Sequence, residues 1–225
     1  LDLGDIGMLL RIGQQFHWKN KNYDDFDKFL SDLVSRKRKS IRKERNSIVN
    51  QNLDFQWLSG TDITENIWDT FYQFYLDTID KKWGQNYLNR DFFSLIGERL
   101  GESIVLIIAK DAGKPVAGAL NFLGDKTLYG RNWGCNSDYK FLHFEVCYYQ
   151  AIEYAIQHKL EWVEAGAQGT HKVQRGYLPN ITYSAHWIAN RSFQDAIRHF
   201  LENERLNVEK EIEYLNSHSP FRITD

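Results

Sequence analysis

Apolar positions along the chain change period several times, and each change marks an element. Gly13-Gln-Gln-Phe-His-Trp18 alternates and predicts a strand. From about Tyr23 the spacing lengthens. Phe26, Leu30, Leu33, Val34, Ile41 and Ile48 form a helical seam, with Asp24, Asp25 and Asp27 at its start, so one helix is predicted from there to Ile48. Leu53 to Leu58 returns to alternation. Thr61 to Thr64 offers caps for a helix carrying Ile67, Trp68, Phe71, Tyr75 and Ile79 and stopped by Gly84. A second helix is predicted over Arg90 to Leu100, ending at Gly101. Three strands follow, Ser103 to Lys110, Pro115 to Leu123 and Lys126 to Gly134. Asp111-Ala-Gly-Lys114 and Gly124-Asp125 separate them as hairpin turns, which predicts an antiparallel meander.

A helix over Tyr139 to His158 then leads to a strand at Glu161 to Gly166, too far on for a hairpin and suited to a crossover. A short helix at His171 to Arg175 is broken by Pro179, and Ile181 to Ala189 reads as a strand. The last helix, Ser192 to Asn216, is expected to bury Phe193, Ile197, Phe200, Leu201, Val208, Ile212 and Leu215. This order gives an α+β fold: a mixed, mostly antiparallel sheet with helices on both faces. A doubly wound parallel sheet does not fit it.

Composition narrows the class. With 42% hydrophobic and 26% charged residues over 225 positions, the chain can fold around a sizeable core. The net charge of −2 gives no overall field for nucleic acid, and no DNA partner is expected. Cys135 and Cys147 have no metal-type spacing and suggest no disulfide, which fits a reducing, cytoplasmic setting; no metal site is expected. The longest apolar run, Ile104 to Ala109, has strand length, so no membrane span is predicted. The chain starts without Met or a signal-like stretch and reads as a piece of a longer protein.

Two stretches carry candidate chemistry. The first is Glu161 to Pro179, where a strand ends in Gly166 and Gly169 and is followed by Gln168, Thr170, His171, Lys172, Gln174 and Arg175. Glycines there let backbone approach a ligand closely. The second is Arg36-Lys-Arg-Lys-Ser-Ile-Arg-Lys-Glu-Arg45, with seven basic residues in ten. A solvated helix face, a phosphate docking site and a lipid-headgroup contact are all compatible with it. Lys37, one turn before Ile41, and Arg38 lie nearest the seam, with Glu44 on its other side.

Longer segments resemble a known family. They are Gln15-Phe-His-Trp-Lys-Asn20, Ser35 to Arg45, Gly166-Ala-Gln-Gly-Thr-His-Lys172, Arg175-Gly-Tyr-Leu-Pro179, Tyr183-Ser-Ala-His-Trp187 and His218-Ser-Pro-Phe221. Together they resemble the FemAB-like N-acyltransferases, relatives of the GNAT acetyltransferases and of the peptidoglycan-bridge aminoacyl ligases. The resemblance implies a GNAT-like acyl-CoA N-acyltransferase fold over residues 24–225. It also implies that residues 1–23 are the tail of a preceding acyltransferase-like lobe.

It further implies transfer of an acyl or aminoacyl group from an activated donor to an amine. Acyl-CoA is the expected co-substrate; an aminoacyl-tRNA-dependent ligase and a non-catalytic ligand-binding lobe are the alternatives. The donor would lie where the third meander strand and the crossover strand splay apart. Lys172, followed by Arg175 and Tyr177, resembles the lysine that stabilises charge near the transferring carbonyl in the ligases. Glu164 and His171 are candidate bases, each equally readable as a structural residue. Tyr177 and Tyr183 are candidate acids for the leaving group. Arg131-Asn-Trp-Gly-Cys-Asn136 partly echoes a pyrophosphate loop, departing at Asn136, which makes Arg131 and Trp133 candidate donor contacts. Gln168 and Glu145 are candidate substrate contacts, Glu145 being equally readable as a first-turn helix charge.

Overall fold

A computed structural model describes residues 3–80 and 85–222 of the chain. Gly84, the expected stop of the third helix, lies outside them. The chain divides into two compact units. One is built from residues 1–17 and 166–221, the other from 18–165 and 222–225.

The larger unit holds a five-stranded sheet in the order β2–β3–β4–β5–β6. Its strands are β2 (Leu53–Leu58), β3 (Ile104–Asp111), β4 (Lys114–Leu123), β5 (Thr127–Cys135) and β6 (Trp162–Glu164). β2 to β5 pair antiparallel, and β6 joins β5 in parallel, as the crossover requires. Every residue from Ile104 to Ala109 is buried, so β3 is covered on both faces. On one face Ile104, Leu106 and Ile108 pack with Trp68, Phe71 and Phe74 of α3 (Glu65–Asp80) and with Phe93 and Ile96 of α4 (Arg90–Leu100). The α4 start is capped, Asn89 Oδ1 accepting from Phe92 N at 3.0 Å. The opposite face meets the segment that follows the meander: α5 (Leu142–Phe144), a π-helical stretch (Glu145–Tyr149) and α6 (Gln150–Gln157).

Two expectations are corrected here. The seam from Tyr23 to Ile48 is two helices, α1 (Phe26–Ser31) and α2 (Ser35–Val49). Arg222 explains the break. Its backbone N–H donates to the Asp32 carbonyl at 2.9 Å and its Nε to the Leu33 carbonyl at 3.2 Å, so neither oxygen serves a continuing helix. The helix expected from Tyr139 begins only at Leu142, because Phe141 adopts a left-handed conformation with φ 68°.

The smaller unit pairs β1 (Leu9–Lys19) antiparallel with β7 (Leu178–His186), from Leu9↔His186 to His17↔Leu178. β7 starts earlier than expected because Pro179 joins the ladder opposite Phe16. A proline is tolerated in a strand whose outer side makes no ladder bond in this unit. The last helix, α7 (Arg191–Ser217), is where the burial expectation fails. Of its apolar residues only Leu215 is buried, while Phe193 and Phe200 are 59% and 61% exposed. A half-buried line through Ile197, Leu201, Glu204, Val208 and Ile212 marks its inner side, and Arg11 ties it down by an ion pair to Glu204 at 2.6 Å.

Candidate functional site

In the larger unit, β6 pairs with β5 over only three residues, Thr127↔Trp162, Leu128↔Val163 and Tyr129↔Glu164. Beyond Tyr129, β5 continues to Cys135 with no described ladder on that side, which leaves an open slot in the sheet. A bulge sits at the point of divergence. Leu120 faces Asn132 while Asn121 faces Gly130, so Arg131 is the extra residue on β5. Such a bulge bends the strand and re-aims its side chains. Asn121 stabilises it from beneath: it is buried and donates from Nδ2 to the carbonyls of Val105 at 3.1 Å and Ala119 at 3.2 Å. A methyl group on Gly130 would lie 3.1 Å from the Glu164 carbonyl, so glycine lets the two chains pass closely where they part.

Arg131 is exposed at this bulge and Glu164 is half-buried at the end of β6. Trp133, half-buried, helps line a pocket of about 500 Å³ with Cys135, Tyr139 and His143, its ring 5.1 Å from the His143 ring. The segment read as a pyrophosphate loop is therefore strand. Trp133 and Gly134 oppose Ala119 and Gly118 in the ladder, and the Asn136 N–H donates to the Val116 carbonyl at 3.1 Å. Those groups do not form the N–H cradle of a helix start.

Glu145 is a further candidate in this unit, and it is no first-turn surface charge. It is 2% exposed in the π-helical stretch, where its carboxylate accepts from Arg45 of α2 at 2.9 Å and from Gln150 Nε2 at 2.8 Å. Arg45 also pairs with Glu153 at 2.8 Å and lies 4.5 Å above the Phe26 ring. Gln150 in turn accepts from Trp57 Nε1 at 2.9 Å. Glu44 accepts a hydrogen bond from the Tyr149 hydroxyl. A π-bulge inserts one extra residue into a helix and is frequent at functional sites. This one brings Glu145 and Tyr149 against α2. The network lies in the wall of a cleft of about 670 Å³ that also includes Asp25, Asp27 and Arg42.

Arg45, Glu153, Gln150 and Trp57 were missed in the sequence, although Arg45 lies four residues after Ile41 and three before Ile48, on the seam itself. Lys37 and Arg38, preferred there, are half-buried about two turns earlier on α2.

In the smaller unit the chain from Gly166 turns sharply. Gly166 and Gly169 take φ of 75° and 93°, and a 3-10 turn follows at Thr170–Arg175. Lys172 is 5% exposed; its Nζ lies 3.3 Å from the Gly166 carbonyl and 5.5 Å above the Phe16 ring. Arg175 is buried too and donates to the His171 carbonyl at 2.9 Å. The His171 ring folds back over Gly169, where any Cβ would overlap it. Burial first, then the charges of Arg175 and Lys172, push its pKa below the ordinary 6.5. Tyr177 is fully buried behind this turn, while Gln168 is exposed at its rim. The turn thus gathers Gln168, His171, Lys172, Arg175 and Tyr177. Tyr183 stands apart, 80% exposed on β7 and six extended residues from Tyr177, roughly 20 Å along the strand.

Comparison with known proteins gives the class. The FemAB-like family, described as peptidoglycan biosynthesis/recognition, matches residues 2–223, and the chain belongs to it. No curated protein matches in sequence. Among solved structures, the C-terminal domain of a protein titled a lysylphosphatidylglycerol synthetase, from Agrobacterium fabrum, is similar with a TM-score of 0.63 at 12% identity, over 85% of this chain and 65% of that one. L-PGS from Bacillus licheniformis gives 0.63 at 9%, over 88% and 68%. FemX gives 0.57 at 12%, over 82% and 64%. The chain thus spans about two thirds of the length of each. The fold is the α+β, GNAT-like acyltransferase fold. Among the described residues no helix is long and apolar enough to cross a membrane.

Proposed function

We propose that this chain is the transferase domain of an N-acyltransferase that moves an aminoacyl group from an activated ester to an amine. The observation that carries the reading is the slot beside β5. An exposed strand edge, opened by a bulge at Arg131 and by the early end of β6, is suited to hold an acyl chain in extended form. FemX and L-PGS, similar in fold, favour an aminoacyl donor, and the family description favours a peptidoglycan precursor as acceptor.

The chemistry needs a neutral amine at the carbonyl, an acceptor for its proton and a cation for the developing oxyanion. Lys172 suits the last role. Lys172 is held at 5% exposure, where desolvation strengthens the pull of a cation on a transient negative charge. His171, held neutral near pH 7 by its lowered pKa, suits proton acceptance, as does Glu164. The cleft at Glu145 has four carboxylates (Asp25, Asp27, Glu145 and Glu153) against two guanidinium groups (Arg42 and Arg45), which suits a cationic amine.

The donor is the point of choice. With the Arg131–Asn136 backbone engaged in strand pairing, aminoacyl-tRNA is favoured over acyl-CoA. The test is single-turnover transfer by the full chain, with aminoacyl-tRNA and acyl-CoA compared on a muropeptide amine. Transfer from aminoacyl-tRNA, slowed about 10²–10³-fold by Lys172→Ala with thermal stability retained, is the expected result. Transfer from acyl-CoA alone, or an unimpaired Lys172→Ala protein, would sink the reading.

A further inference from the structure

Asn132 lies on the slot strand, is unused by the chemistry above, and is polar where its surroundings are not. It opposes Leu120 across the β4–β5 ladder, one residue past the bulge. Cross-strand partners share a face, and Leu120 belongs to the cluster formed with Trp68, Phe71 and Phe74 of α3. Gly134, two residues on, lies on that face too, since a Cβ there would overlap Phe74. Asn132 therefore projects to the α3 side of the sheet, half-buried at the margin of an apolar layer. Its Oδ1 is buried and has no hydrogen-bond partner among the described residues. Asn121 on the neighbouring strand gives the contrast, for its Nδ2 donates to two carbonyls. A buried acceptor left unpaired costs its full desolvation, and a leucine of the same branching would avoid that cost. The oxygen calls for a donor that arrives with a ligand.

We infer that Asn132 Oδ1 accepts a hydrogen bond from the α-amino group of the transferred residue, and so selects aminoacyl over simple acyl donors. The inference rests on the aminoacyl reading above and deepens it by assigning the residue that reads the group. An acyl chain lying along the β5 edge sends its substituents to the two faces of the sheet, as a strand does. The substituent on the α3 side comes alongside Asn132. Asparagine χ2 is broad, so a modest turn of the carboxamide brings its oxygen to the slot. The attacking amine is not the partner. Its carboxylate cleft at Glu145 lies on the opposite face, where the π-helical stretch packs. A carbonyl oxygen pairs with an N–H and gains nothing from a C–H in the same place. One such bond to a charged donor corresponds to a preference of about 10–100-fold.

The experiment measures single-turnover transfer by the full chain from alanyl and propionyl groups, which differ only in the α-amino group. Each is carried on tRNA and on coenzyme A, and wild type is compared with Asn132→Leu and Asn132→Ala. Binding of the same four donors is measured without acceptor. Wild type is expected to favour alanyl about 10–100-fold. Both variants should abolish the preference by slowing alanyl transfer and leaving propionyl transfer unchanged. Thermal unfolding separates this from a structural role, because Asn132→Leu is expected to unfold no earlier than wild type. A preference that survives in both variants overturns the inference, and so does loss of stability with the preference intact. The two carriers and the binding arm keep this inference apart from the transferase reading. Alanyl preference on coenzyme A alone supports Asn132 and counts against the tRNA donor. No transfer, with alanyl donors bound about tenfold more tightly than propionyl donors by wild type only, supports Asn132 and counts against the transferase. Transfer of both groups from tRNA at equal rates supports the transferase and overturns the role of Asn132, and equal binding without transfer overturns both.

Discussion

At the scale of single residues, His171 offers a check that does not depend on knowing the substrate. Its pKa in the folded chain lies below 6.5, by burial and by the neighbouring charges of Arg175 and Lys172. The unfolded chain therefore binds the proton more readily than the folded one below that value. The sign follows: this group costs nothing above pH 6.5 and destabilises progressively as pH falls through the window between the two pKa values. The unfolding midpoint of the wild type should fall more steeply below pH 6.5 than that of His171→Gln, with the two curves parallel above it. Parallel curves throughout would mean that the ring senses neither burial nor the two cations. The sequence placed this histidine beside Lys172 in a glycine-rich turn, and that much is visible from residue types. It could not give the direction of the shift, because that depends on how far the ring folds back over Gly169. The same limit hid Glu145. A glutamate early in a helix is most simply a solvated charge, and only the extra residue of the π-helical stretch turns it toward Arg45.

At the scale of elements, most strands and helices were legible, because a period of two or of 3.6 is written directly into the apolar positions. The meander and α4 were read to within a residue or so of their ends. What could not be read were the effects of contacts distant in sequence. Arg222 splits the first helical seam from the far end of the chain. The bulge at Arg131 has no local signature, since it is defined by a mismatch between β4 and β5. Gly134 is the sharpest case. It falls in the segment that partly echoes a pyrophosphate loop, and the structure assigns it to packing. A methyl group there would overlap the carbonyl of Phe74, so α3 lies directly on β5 at this point. Relief requires the backbone of α3 to move, and Phe74 is itself buried. Gly134→Ala should therefore destabilise the chain by about 3 kcal/mol, the upper part of the overpacking range, as measured by denaturant unfolding. A loss below about 0.5 kcal/mol, as at an ordinary surface site, would show that the glycine is not needed for this approach of α3 to β5.

At the scale of the whole molecule, the two units differ in how they are held. The larger is one continuous stretch, residues 18–165, with the last four residues added. It holds the aromatic cluster of Trp68, Phe71, Phe74 and Phe93 against a strand buried on both faces. The smaller joins segments separated by almost 150 positions, and its longest helix buries one apolar residue. The sequence misjudged that helix for a definite reason: an apolar seam states which residues would face a neighbour, not how closely a neighbour covers them. Stability should be distributed accordingly, since local opening follows the density of buried contacts. Hydrogen exchange on the intact chain should find β3 and β4 amides exchanging only through global unfolding. Amides in the middle of α7 should exchange through local opening, at least a hundredfold faster, a difference of about 2.8 kcal/mol if each tenfold is about 1.4 kcal/mol. Denaturant separates the two routes, because global opening exposes far more surface and its rate rises steeply with concentration, whereas local opening is nearly insensitive. Equal protection and equal denaturant dependence in α7 and β3 would mean that the chain unfolds as one cooperative body, and that the exposed Phe193 and Phe200 do not mark a weakly held helix.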